Sequence, residues 1–449
     1  MQKAITLVGR SPSALLTELS NLCLSELSSK TLLFTLAPSS NVTQGQLSAL
    51  ATSLTKHFPV HVGCIAAPVP LSGQRPAHCS VSLALVDGIP FRSTIPGLPE
   101  TQVGRWHAGR NRSFSESGAH PSDNDSTNLD PADMLGSALM SDGKIDWEKV
   151  WSVPSSSGLK SEPDSLPEKL RNLEPPTIGS IIYFSDKSPE GISRGLQNAF
   201  PNAHKLALLA SSTPFLTGRP FTLFYNGRVH SSGAVGIAIP SSTPLLNLTF
   251  PPLVALTPPL PITRCDIVRY SEGNLILSID SRNPTRLLLS AIQEKGLSFC
   301  PNTTLAGKEG AFYVGVIEND KLSQVHRISS GDPSRGTIAL DTNMAPRERS
   351  TVRLYHLPKT PNVTTSTISD STPKRSLSLL VSSEIEPLPS PPLESHPGDC
   401  GTVAFDSFIA ASENGIVLSP GNSFTSTNMP WTCTVPGGRV TLHWDATRS

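Results

Sequence analysis

The side chains with the clearest chemical potential are few and lie far apart. Cys64 follows Gly63 at the end of an apolar run, with His57 and His61 close by, and a thiol beside an imidazole is how a cysteine nucleophile is built. In an extended strand, residues three apart face opposite sides, so His61 points away from Cys64 and the spacing favours a buried structural thiol. His443, Trp444 and Asp445 with Ser407 or Ser412 imitate a serine triad, but no Gly-x-Ser-x-Gly elbow accompanies them. No Walker sequence occurs, nor a Gly-x-Gly-x-x-Gly after a strand, and Gly437-Gly438 reads as a turn. The seven cysteines (Cys23, Cys64, Cys79, Cys265, Cys300, Cys400 and Cys433) form no C-x-x-C pair and no zinc-type cluster. We therefore expect no catalytic residue, no metal and no cofactor.

Binding asks less of a sequence than catalysis, because a concave site needs only a few fixed polar groups. Gly63, Gly227, Gly233 and Gly236 let backbone approach either a small ligand or a neighbouring strand. Beside them stand Ser211, Ser212, Asn226 and Arg228. Arg228 suits bidentate capture of a carboxylate, and equally suits a solvated position after a turn. The expected ligand-binding set is Gly63, Cys64, Ser211, Ser212, Asn226, Arg228 and Gly233.

The elements that must position these residues cluster between 179 and 239. Ile181 to Phe184 reads as a strand, and Ile192, Leu196 and Phe200 mark one face of a short helix that Pro201 ends. Leu206 to Ala210 reads as a strand buried on both faces. Phe221 to Tyr225 and Arg228 to His230 flank Asn226-Gly227, the dipeptide suited to a type I′ hairpin turn because both residues need positive φ. The earlier chain shows a similar order: a strand at 31–37, a helix at 46–57 ended by Phe58-Pro59, a strand at 60–66, and a strand at 79–86 closing at Asp87-Gly88. Phe58-Pro59 answers Phe200-Pro201, and Asp87-Gly88 answers Asn226-Gly227. This predicts internal duplication within one large sheet system. Leucine spacing predicts a further helix at 13–28. Beyond residue 260, strands are expected at 262–268, 274–280, 311–317, 324–328, 336–340 and 351–357, with a helix at 284–295. The tail adds 401–411, 415–418 and 440–444.

Composition sets the class. Proline numbers 42 of 449 residues, and Lys plus Arg balances Asp plus Glu at 36 each. No global field draws in nucleic acid. No window reaches the ~18 apolar residues of a membrane span. Residues 111–176 and 358–398 read as Pro/Ser/Thr-rich flexible insertions. The first is interrupted only by 145–151, whose Trp147 and Trp151 suit docking on a surface, and the second by 377–381. The N-terminus lacks a secretory signal, so the cytoplasm is expected, with a mitochondrial transit peptide as the alternative.

The order of elements resembles the FIST domain of F-box and intracellular signal transduction proteins. Its N-terminal part is matched by Gly63-Cys64, Asn226-Gly227-Arg228-Val229 and Gly233-Ala234-Val235-Gly236-Ile237-Ala238. Its C-terminal part is matched by Gly273-Asn274, Ile276, Asp280 and Pro284. The likeness is to a fungal-like branch without an F-box. It implies an α+β fold of two subdomains of mixed and antiparallel sheets with packed helices, one from 1–110 and 177–258, the other from 259–357 and 399–449. It further implies a non-catalytic sensory module binding a small metabolite, an amino acid among the candidates, or a protein partner. An adaptor in a ubiquitin or quality-control pathway is the alternative, and a cysteine- or serine-dependent enzyme ranks third.

Overall fold

The computed structural model describes residues 3–22, 30–39, 42–56, 58–70, 79–97, 166–240, 244–268, 271–297, 310–342, 345–358, 376–382, 402–421 and 429–444. The segment 145–151, His57 and Asp445 lie outside the described residues. The described residues all belong to one compact unit.

The first elements are β1 (Lys3–Gly9), α1 (Pro12–Asn21), β2 (Thr31–Ala37), α2 (Gln44–Thr55), β3 (His61–Ile65), β4 (Cys79–Val86) and β5 (Ile89–Ser93). Local chemistry accounts for the helices. The Ser11 side chain accepts from Ala14 N at the start of α1, with Pro12 in the first turn, while Thr43 and Gln46 cap each other's backbone at the start of α2. The next elements are α3 (Glu168–Arg171), β6 (Ile178–Ser185), α4 (Glu190–Ala199), β7 (His204–Leu209), α5 (Pro214–Thr217), β8 (Leu223–Tyr225), β9 (Arg228–His230) and β10 (Ala234–Pro240). α3 falls inside the expected insertion 111–176, yet its Leu170 is buried against the sheet that carries Phe91 and Ile178.

Two sheets organise this half. The first runs β2-β3 in parallel with β4 antiparallel to β2; the second runs β6-β7 in parallel with β10 antiparallel to β6. A helix links each parallel pair, α2 in one and α4 in the other. Leu33, Val62, Cys64 and Ala84 of the first sheet share a core with Ile182, Phe184, Leu206 and Val235 of the second. Leu15, Leu19, Leu47, Leu50 and Leu54 of α1 and α2 cover the outer face of the first, and Ile192 and Leu196 of α4 that of the second. The same strand order thus recurs in two packed sheets. Asp87-Gly88 does not turn a hairpin: β4 lies in the first sheet while β5 pairs with β10 in the second.

The remaining strands are β11 (Leu245–Thr249), β12 (Val254–Ala255), β13 (Leu260–Val268) and β14 (Ser271–Ile279), followed after α6 (Pro284–Glu294) by β15 (Gly310–Glu318), β16 (Lys321–Asp332), β17 (Thr337–Leu340) and β18 (Thr351–Pro358). Strands β18-β13-β14-β17-β16-β15 close on themselves through β15–β18 pairing, a six-stranded barrel. Leu288 and Ile292 of α6 pack into its core with Val314, Ile328 and Leu354. Closure pairs β15 with β18, and β12 adds a short strand to β18 outside the ring.

The tail contributes β19 (Ser376–Val381), β20 (Val403–Phe405), β21 (Phe408–Ser412), β22 (Ile416–Ser419), β23 (Trp431–Cys433) and β24 (Arg439–His443). β20 adds to β1, and β22 adds to β7 and carries β23. β11, β24, β19 and β21 form a separate four-stranded sheet. Thr6 anchors the tail: its Oγ1 donates to Ser407 O at 2.7 Å and accepts from Ile409 N at 2.9 Å.

The expected α+β class holds only coarsely. The described residues carry six α-helices, all short, against a long series of strands, so the chain is mostly β with some helices. Where the sequence alternates or runs apolar it extends, and the longest described helix, α2, has twelve residues.

Candidate functional site

The structure distributes the expected binding residues over three places. The first lies at the carboxyl ends of β3 and β7, where Ser211 N donates to Ile65 O at 3.0 Å. Here the Ser211 hydroxyl donates to Glu413 Oε2 at 2.7 Å, and Ser212 N donates to Glu413 Oε1 at 3.3 Å. Cys64 is fully buried one residue back, and burial, with Glu413 adding repulsion, pushes its thiol well above its ordinary range. Such a thiol stays protonated and is no nucleophile. Gly63 is a packing glycine, since a Cβ there would stand 2.6 Å from the Phe34 ring.

The second place is the far end of β3. Asn226 and Gly227 hold φ of 45° and 80° in the hairpin turn. The Asn226 Oδ1 accepts from His61 N at 3.1 Å, and His61 Nε2 accepts from Gly227 N at 2.8 Å. Because Nε2 accepts, Nδ1 carries the proton and donates to Phe58 O at 2.8 Å. Burial lowers the His61 pKa further, the Phe58 bond opposing it. His61 is therefore a neutral pin for the hairpin, facing the Phe34 side of the strand while Cys64 faces the inter-sheet core.

Arg228 stands exposed on β9. Two residues on, and so on the same face, is His230, whose pKa is lowered by burial and then by Arg92, Arg228 and Arg219. Arg219 Nη1 donates to Ser231 Oγ at 3.0 Å. A third place holds Gly233, whose N donates to Asp186 Oδ2 at 2.6 Å and whose φ of 83° no side chain favours.

A site that sequence reading did not find lies on the barrel. Val316, Gln324, His326, Thr342, Arg347 and Trp431 help line a small cleft that opens to solvent. His326 is buried, and burial lowers its pKa to about 4, so it is neutral at ordinary pH. Its Nε2–H donates to Gln324 Oε1 at 3.4 Å, which makes Nδ1 an acceptor. That Nδ1 and the Trp431 Nε1–H are both buried with no hydrogen-bond partner among the described residues. The two rings meet edge to face at 6.0 Å. Nothing local in the sequence joins His326 to Trp431, since one belongs to the barrel and the other to the tail. Among the described residues, no group of three or more His, Cys, Asp or Glu could hold a metal ion.

No family model, curated protein or solved structure matches this chain.

Proposed function

We propose that this chain is a non-catalytic, FIST-type binding module of the cell interior whose ligand is a small metabolite of amino-acid type, seated in the barrel cleft. The observation that carries this reading is the pair of buried, unpartnered nitrogens, His326 Nδ1 and Trp431 Nε1, in side chains that line one cleft. Buried polar groups are nearly always paired, so an orphaned acceptor and donor together favour a missing partner. An amino acid supplies both. Its ammonium donates to His326 Nδ1, its carboxylate accepts from Trp431 Nε1–H and from the Arg347 guanidinium, and its side chain meets Val316, Ala345 and Pro346.

The recurrence of a parallel strand pair with its helix and an antiparallel third strand supports internal duplication and the two-part FIST-type reading. The free thiols of Cys64, Cys79, Cys265 and Cys433 favour a reducing compartment. The test is thermal unfolding of the whole chain against a panel of amino acids. A ligand at a hundredfold its dissociation constant adds about 2.7 kcal/mol. The expected result is an upward shift with one member, lost in Arg347→Ala and weakened in Trp431→Phe, which keeps the ring and removes the donor. A panel without any shift, or a shift that survives both substitutions, overturns the proposal.

A further inference from the structure

Among the described residues, four large apolar side chains are exposed: Phe215, Val229, Leu245 and Val254. Two of them lie close in the chain to arginines around His230. Val229 lies between Arg228 and His230 on β9. Phe215 lies four residues before Arg219, whose guanidinium reaches Ser231 just past β9.

Phe215 is presented rather than left loose. Its helix α5 follows Thr213, whose Oγ1 donates to Arg219 O at 3.0 Å and bonds the Thr222 hydroxyl at 2.8 Å. Gly218, at φ 71°, closes the helix, and Leu216 packs against the core of the first sheet. Phe215 itself is wholly exposed. A phenyl ring held in water on a pinned turn is free to enter an apolar medium, where its burial is favourable.

The charged groups acting on His230 are of one sign. Arg92, Arg219 and Arg228 all repel a proton from His230, and no ion pair engages any of the three among the described residues. Arg92 Nε and His230 Nε2 are buried without a partner. The carboxylate of Asp186, held at Gly233, is occupied by the backbone N–H groups of Gly233 and Ser188. Three arginines without an ion pair among the described residues suit oxyanions, on a chain whose net charge is zero.

We propose that this face docks on an anionic phospholipid surface. Phe215 enters the boundary between headgroups and acyl chains, and Arg92, Arg219 and Arg228 take up headgroup phosphates and carboxylates. A dissolved anion would satisfy the arginines and leave Phe215 in water; a lipid surface satisfies both. The inference stands apart from the barrel cleft and does not depend on it.

The test is co-sedimentation of the full chain with vesicles of phosphatidylcholine alone, and of phosphatidylcholine and phosphatidylserine in equal parts. Binding to the mixed vesicles only is expected, falling as salt rises. Phe215→Ala should weaken it about tenfold through the lost apolar burial. Arg228→Ala should weaken it about fivefold. Both side chains are exposed, so circular dichroism should show the fold unchanged, and Leu245→Ala, on the four-stranded sheet, should bind as the parent does. Three results overturn the proposal: no sedimentation with mixed vesicles, equal binding to phosphatidylcholine alone, or full binding by Phe215→Ala. The last, with inorganic phosphate displacing the protein, would assign the arginines to a dissolved anion.

Discussion

Replacing Lys205 by methionine should stabilise this protein, and by an amount that depends on pH. Lys205 sits on β7 beneath α4, with only 1% of its surface exposed. Its Nζ donates to Gln197 Oε1 at 2.6 Å, an oxygen that also accepts from Ser419 Oγ. Among the described residues no carboxylate pairs with it. Burial lowers its pKa from 10.5 to about 7. At about 1.36 kcal/mol per pKa unit, holding the charge inside costs about 5 kcal/mol. The unfolded chain keeps this proton up to pH 10.5 and the folded chain sheds it near 7, so the unfolded state binds more protons across that window. Stability contributed by this residue therefore rises with pH from about 7 to 10.5, and the full cost is felt below 7. Lys205→Met removes the charge and keeps the volume. It also leaves Gln197 Oε1 without its strongest donor, at a cost of about 1 kcal/mol. Urea denaturation at about pH 6.5 should show the variant more stable by about 2–4 kcal/mol, with the gain shrinking to nothing or reversing as pH approaches 10. His204 beside it has a pKa near 4, lowered by burial and by Lys205, and so stays neutral in the folded state throughout this range. A gain of the same size at every pH, or a loss at about pH 6.5, would refute the argument that an unpaired buried charge is the cause.

Gly63→Ala should destabilise by about 1–3 kcal/mol, because the added methyl meets the Phe34 ring at 2.6 Å; unchanged melting would show that Phe34 gives way freely. His61→Leu strands Gly227 N–H and Phe58 O, and a loss of about 2–3 kcal/mol is expected, measured by chemical denaturation. Cys64 should resist a thiol reagent in the native protein and react only on unfolding; prompt native labelling, mapped by peptide mass, would contradict its burial.

The local features were legible before any coordinates. Asn226-Gly227 announced its turn because a positive φ at two successive positions is a property of those residues alone. Ile192, Leu196 and Phe200 announced α4, and the run 206–210 announced a strand covered on both faces, because burial periodicity is written into neighbouring residues. Other expectations stopped short. Asp87-Gly88 looked like a turn and instead carries the chain from one sheet to the other. The strands predicted at 262–268 and 274–280 proved longer, so that Gly273 lies within β14.

What the sequence by itself determined is therefore the menu of strands and helices, the hairpin at 226–227 and the thiol at Cys64 that faces away from its histidine. These follow from φ, from side-chain period and from composition, all short-range quantities. Only the tertiary structure decided which strands pair, that the barrel closes through β15 and β18, and that the tail threads β20 and β22 into the first two sheets. It alone brought Trp431 against His326, and Arg92 and Arg219 beside Arg228. Side-chain period tells a strand which face to bury but not which neighbour to take, and every candidate site in this molecule is made by that second choice.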